Sequence, residues 1–183
     1  MIIVGDRIFL RTFEEGDAKA LTKIITRNKP FWGRAEPDWP ESYYTVEGQI
    51  HNIRFFREGI QKGQHYSFGI FDKGTYKLIG LINLYDIKWG PFRSGVVGYS
   101  VDKKHNGKGV GTESLLLILG FTFNHLNLNR VSAEVLPRNA PSIRVLEKAG
   151  FLKEGIKRDS TLIQGTWETH LQFGLLKKEW EKL

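Results

Sequence analysis

His105-Asn106-Gly107-Lys108-Gly109-Val110-Gly111-Thr112 is the stretch on which the reading of this chain turns. Three glycines alternate with other residues, after a strand-like apolar run and before a long helix-like one. Glycine lets the backbone turn sharply and lets a ligand approach main-chain N–H groups that a side chain would cover. The start of the following helix adds unpartnered N–H donors and a partial positive charge. Together these features predict a cradle for a phosphate group.

Outward from this loop the elements follow in order. Gly95 to Val101 reads as the strand that enters it. Thr112 to Asn124 reads as the helix that leaves it, apolar around most of its circumference and therefore buried. A strand from Arg130 to Leu136 comes next. Asn139 is a natural N-cap for a further helix, Pro141 is tolerated in its first turn, and Gly150 ends it. Strands at Phe151 to Lys157 and Trp167 to Leu175 close the chain around a turn at Gln164-Gly165. Upstream, Arg7 to Arg11 is a first strand and Asp17 to Thr26 a helix with Leu21, Ile24 and Ile25 on its apolar stripe. A second helix fits Thr45 to Gln61, and strands fit His65 to Phe71 and Leu78 to Ile87. The prolines make Pro30 to Pro40 a loop, one rich in aromatics. No repeat or linker interrupts residues 1–183, which predicts one α/β (α+β) domain: a mixed sheet covered by helices.

Composition narrows the chemistry. Of 183 residues, 40% are hydrophobic and 26% charged, ordinary values for a soluble globular domain. The lack of cysteine excludes a disulfide framework, a thiol nucleophile and a cysteine metal site. Five scattered histidines with no His-Glu-x-x-His pair predict no metal. The apolar block Leu115 to Phe121 is far below the roughly 20 residues that span a bilayer. The N-terminal apolar run is too short for a secretory signal, so the expected location is cytoplasmic. The net charge of +7 admits nucleic acid, an anionic surface or an anionic cofactor. Lys103, Lys104 and Lys108 crowd the glycine loop, where a polyphosphate would want them.

Two better-known phosphate loops do not fit. A P-loop places Lys-Ser/Thr after its last glycine, whereas Gly111 is followed by Thr112 and Glu113. A dinucleotide fingerprint needs Gly-x-Gly-x-x-Gly and more strand–helix units than remain here. Gly98-Tyr99-Ser100-Val101-Asp102 superficially resembles a nucleophile elbow, but it lacks the second glycine and a following histidine in triad order.

Asn106-x-x-Gly109-x-Gly111 resembles the Gln/Arg-x-x-Gly-x-Gly/Ala signature of the GCN5-related N-acetyltransferases (GNAT). Asn139-Ala140-Pro141-Ser142 followed by Lys148-Ala149-Gly150-Phe151 is similar to a later segment of the same family. Asp6 to Arg11 with Asp17-Ala18, and the closing Leu175 to Trp180, resemble its Rim-type subgroup, which includes enzymes that acetylate ribosomal-protein N-termini. The resemblance implies a GNAT sheet of about seven mostly antiparallel strands, splayed between the strands that flank the loop helix, with helices on both faces. It implies acetyl-CoA as cosubstrate, with its pyrophosphate on Asn106, Gly107, Lys108, Gly109, Val110, Gly111 and Thr112. The pantetheine arm would run along Tyr99, Ser100 and Val101, with Asn139 and Ser142 beside it.

Ser142 matches the position proposed to protonate the departing thiolate; Leu146 stands where many relatives carry a tyrosine. Backbone N–H near Ser100 or Val101 would polarise the carbonyl. The base is not marked. Val96 and Thr161 stand where relatives carry acids, leaving Glu134 and Asp86 as candidates, with His65 and Asp159 behind them. Trp32, Trp39 and Tyr85 are the aromatics expected to line the acceptor pocket. The expected partner beside acetyl-CoA is an amine, a protein N-terminus first and a small amine or antibiotic second. No nucleic-acid or membrane role is expected, and a homodimer is left open. A catalytically impaired acyl-CoA-binding module is the competing class, motivated by the missing glutamates.

Overall fold

The computed structural model describes residues 1–183. Eight strands form one sheet in the order β1-β2-β3-β4-β5-β6-β8-β7. They are β1 (Ile2–Val4), β2 (Ile8–Thr12), β3 (Tyr66–Asp72), β4 (Leu78–Lys88), β5 (Ser94–Val101), β6 (Arg130–Val135), β7 (Leu152–Ile163) and β8 (Thr166–Leu176). The helices are α1 (Ala18–Trp32), α2 (Val46–Gln61), α3 (Val110–Gly120), α4 (Ala140–Lys148) and the short α5 (Lys177–Trp180). No helix is long and apolar enough to cross a membrane.

Every neighbouring pair is antiparallel except β5 and β6. That parallel pairing holds only for Ser94–Arg130, Gly95–Val131 and Val96–Ser132. Beyond Val96 the two strands part, while β5 stays registered on β4 as far as Val101. The parting is the splay expected of the fold. The sheet is one strand wider than expected, because Ile2–Val4 pairs antiparallel with β2 instead of fraying.

Alternation along the strands sorts the side chains into two layers. Ile82 and Leu84 of β4, Val97 of β5, and Val131, Ala133 and Val135 of β6 join Leu115, Ile118 and Leu119 of α3 in the larger core. On the other face, Leu21, Ile24, Ile25 and Trp32 of α1 meet Ile53 of α2 and Phe13 in a smaller one. The residues of β5 that point to this second face, Val96, Gly98 and Ser100, therefore look toward α1 and α2 and away from α3.

Three elements depart from the sequence reading by two residues or more, the others by one at most. Helix α1 runs through Pro30 to Trp32, because proline in a last turn costs one hydrogen bond while the Trp32 ring becomes buried. The helix after the glycine loop starts at Val110, two residues early, and closes on a single wide turn over Phe121–His125. Strand β7 extends to Ile163, where it pairs with Thr166 of β8.

Candidate active site

The glycine loop is held at both ends by residues distant in sequence. At its start, buried Asp102 accepts from Arg27 Nη2 (2.7 Å) and Asn28 Nδ2 (3.1 Å), while the Lys103 N–H donates to Asn28 Oδ1 (3.0 Å). At its end, Arg7 Nη1 donates to the Lys108 carbonyl (2.7 Å) and Arg7 Nε to Glu113 Oε2 (3.0 Å). The Glu113 carboxylate also accepts the Arg7 and Ile8 backbone N–H groups, at 2.8 and 3.3 Å. Burial alone would raise the Glu113 pKa, but these donors more than offset it and hold it below the ordinary value of 4.5.

The sign of that shift sets a pH dependence. A depressed folded-state pKa gives stability that is present above about 4.5 and lost as the pH falls through the folded value. Glu113→Gln should therefore lower Tm at neutral pH, and the gap from the unmodified protein should close in acid. Parallel thermal melts of both proteins across that range measure it.

Between its anchors the loop presents an anion cradle. Gly107 and Gly109 adopt φ of 73° and 79°, and the N–H groups of residues 107–112 meet no acceptor within the protein. Lys103, Lys104 and Lys108 are exposed around it and form no ion pair with a carboxylate. Donors, helix start and cations thus fit a pyrophosphate.

The open edge of β5 continues this site. The Asp102 N–H donates to the Ile79 carbonyl (2.8 Å). That bond makes Val101–Gly80 a non-hydrogen-bonded pair, as are Tyr99–Ile82 and Val97–Leu84 by alternation. The backbone groups of Tyr99 and Val101 therefore point into the splay, whereas those of Ser100 bond to β4. Of the two N–H donors proposed for a carbonyl oxygen, Val101 has the one that opens into the cleft. Its own carbonyl is taken by Trp32 Nε1 (3.0 Å).

Across the splay, the start of α4 brings up Ser142. Asn139 caps α4 by accepting the Ser142 N–H (3.3 Å). The Ser142 hydroxyl lies 2.9 Å from the hydroxyl of Tyr99. Burial pushes the Tyr99 pKa up to about 12, against the pull of Ser142, so the pair stays protonated at neutral pH. Asn139→Ala should cost about 1 kcal/mol, a fall of about 2–4 °C in Tm for a chain of this length, measurable by calorimetry.

Of the remaining expected residues, Trp39, Tyr85 and Glu134 lie on the α1–α2 side of the splay. Trp39 stacks on Tyr43 with ring centroids 4.9 Å apart. Tyr85 of β4 covers Gly98 and faces His65. Glu134 is on the same side of β6 but is held by Lys157 Nζ at 2.7 Å. Asp86 is exposed beside Lys88 (3.6 Å), outside the cleft wall. The tip of the β7–β8 hairpin closes one flank: Gln164 Nε2 donates to the Gly33 carbonyl (3.1 Å), and Arg138 bridges Glu168 to the Arg34 carbonyl.

Sequence reasoning passed over two residues of this site. One is Arg7, read as part of a strand and of the subgroup resemblance but given no role at the loop. The other is Glu36, between Trp32 and Trp39, whose carboxylate accepts a hydrogen bond from Ser100 Oγ. The available signal was a pair of acids, Glu36 and Asp38, among tryptophans and prolines, with nothing local to say which one turns inward.

Residues 7–152 match the family model described as "Acetyltransferase (GNAT) domain". The chain is 39% identical over 181 residues to "Probable N-acetyltransferase YjcK" of Bacillus subtilis (strain 168), covering 99% of this chain and 100% of that protein. It is 30% identical over 178 residues to "[Ribosomal protein uS5]-alanine N-acetyltransferase" of Escherichia coli (strain K12), covering 97% and 92%. The solved structure "Mycobacterium smegmatis RimJ in complex with CoA-disulfide" superposes with a TM-score of 0.90 at 26% identity, over 94% of this chain and 83% of the other.

Proposed function

The chain belongs to the GNAT acetyltransferase family and is an acetyl-CoA-dependent N-acetyltransferase, and from that premise we propose that its acceptor is the α-amine of a protein N-terminus, in the first place a ribosomal protein. The observation that carries this reading is the end-to-end similarity to the uS5-alanine enzyme. That similarity extends beyond the glycine loop into the elements that wall the acceptor side. The wall itself suits a chain end: Trp39 and Tyr85 stand partly exposed at its rim, 43% and 39%, leaving a way in from solvent. The same reading places the enzyme in the cytoplasm.

The cosubstrate supplies a thioester carbonyl carrying the acetyl group. The N–H groups of residues 107–112 and the lysines around them hold its pyrophosphate. The backbone of Tyr99 and Val101 receives the extended arm as a neighbouring strand would. The Val101 N–H polarises the carbonyl oxygen as charge develops there. Ser142, braced by Tyr99, gives a proton to the departing sulfur.

Incubation with acetyl-CoA and an alanine-initiated peptide tests the acceptor. The expected product carries one acetyl group on the α-amine, located by fragment mass spectrometry. Acetylation of lysine side chains or free small amines in preference to that peptide would sink the reading.

A further inference from the structure

The carboxylates that the fold sets around the acceptor side, and Asp86 beyond its wall, differ in one respect. Glu134 is paired with Lys157 at 2.7 Å, Glu168 with Arg138 at 2.8 Å and Asp86 with Lys88 at 3.6 Å. Glu36 and Asp38 have no basic partner, but Asp38 is exposed, whereas Glu36 is half-buried and takes a hydrogen bond from the neutral Ser100 hydroxyl. A half-buried carboxylate without a counter-ion is costly to keep, and such groups cluster at functional sites.

Its position gives the cost a use. Ser100 points to the α1–α2 face of β5, and the next residue, Val101, directs its N–H into the splay. Glu36 thus stands one residue along the strand from the donor assigned to the acetyl carbonyl, on the face from which an acceptor must come. The aromatic walls of Trp39 and Tyr43 flank it. We propose that Glu36 receives the acceptor's amine in this cleft and takes its proton, a role that rests on the N-acetyltransferase reading above.

The acceptor arrives as an ammonium and gives one proton to Glu36, which passes it to solvent. The neutral nitrogen attacks the acetyl carbon. As the C–N bond forms, the second proton goes from nitrogen to Glu36 and later to solvent. The C–S bond breaks with its electron pair on sulfur, which takes the Ser142 hydroxyl proton; water restores it.

The surroundings favour a carboxylate that can accept a proton from an amine. Burial pushes the Glu36 pKa up, against the pull of Ser100 and Trp39, which narrows its gap from an amine. The titratable groups against it are Tyr43 and Tyr44, from the short helical turn at Glu41–Tyr44. Tyr43 is itself raised by burial and by Glu36. Lys29 of α1 lines the same small cavity but is turned to Glu41 at 2.9 Å. From β5 only Ser100 reaches it.

The test compares unmodified protein with Glu36→Gln and Ser100→Ala, on an alanine-initiated peptide and on a small primary amine, from acid to alkaline pH. Glutamine can still accept from Ser100, so Glu36→Gln should keep the thermal shift given by coenzyme A. It should lower kcat/KM by about 10²-fold and flatten the acid limb of the pH profile. Ser100→Ala leaves the carboxylate in place and should keep that limb. A Glu36→Gln value within about threefold of the unmodified enzyme, with the limb unchanged, would overturn the proposal, as would loss of the coenzyme A shift. Turnover of the small amine alone would refute the α-amine acceptor, while the ratio between enzyme and variant on that amine still decides Glu36. No turnover of either amine by the unmodified protein overturns both.

Discussion

Gly109→Val is expected to abolish the thermal response to coenzyme A while leaving a cooperative unfolding transition. At φ 79° the backbone is in the left-handed region, which costs an L-residue about 1–2 kcal/mol and is a genuine outlier for a β-branched one. A Cβ at this position would also stand 2.7 Å from Arg7 Nη2. That guanidinium is the group holding the Lys108 carbonyl and Glu113. Valine must therefore displace Arg7 or flip the peptides around it, and either movement turns loop N–H groups away from the ligand. For the unmodified protein, coenzyme A at about 100 times its dissociation constant adds about 2.7 kcal/mol, or about 5–11 °C in Tm. Thermal melts with and without ligand measure the difference. Gly111→Ala is the control: its Cβ would meet Val145 at an ordinary 3.5 Å, and its φ is not positive. That variant should bind.

Trp32→Ala should give the largest loss of stability, about 3–5 kcal/mol, a fall of about 6–20 °C in Tm. Trp32 is 7% exposed, and its ring closes the smaller core where α1 meets the sheet. The substitution removes that packing and also leaves the Val101 carbonyl without its donor. Trp32→Phe separates the two effects, since it keeps most of the apolar bulk and loses the indole N–H. A penalty of about 1 kcal/mol is expected there, the loss of one hydrogen bond to a half-buried acceptor. If the phenylalanine variant melted as low as the alanine one, the lost hydrogen bond would outweigh the lost packing.

The parts of this site that were legible in the sequence are the locally determined ones. Asn139, Pro141 and Gly150 punctuate α4 by interactions within a few residues, and the helix lies between them. The glycine loop is likewise local in its backbone turns, and its motif, together with the Asn139–Ser142 and terminal segments, carried the family resemblance and through it the cosubstrate. Pro30 was locally a breaker too, but burial of Trp32 two residues later outweighed it. Strand β1 reads as a three-residue apolar leader until β2 is there to pair with it. The acceptor side was the least legible, because contacts between distant segments build it. Glu36 and Ser100 are 64 residues apart, and even at the cradle the clamp of Arg7 on Lys108 spans 101. No spacing rule links such residues; only the packing of α1 on the sheet and of β2 against α3 brings them together.

The early parting of β5 from β6 puts an unpaired strand edge in the middle of a sheet instead of at its rim. An open rim invites foreign polypeptide to add on, which is how many folded proteins begin to aggregate. Here the free backbone groups of Tyr99 and the free N–H of Val101 lie between α4 on one side and the Trp32–Trp39 loop on the other. A slender flexible chain can thread that gap, whereas a second protein would have to bring its own bulk along. The molecule keeps the adhesive chemistry of a β-edge while denying it to its neighbours in a crowded solution.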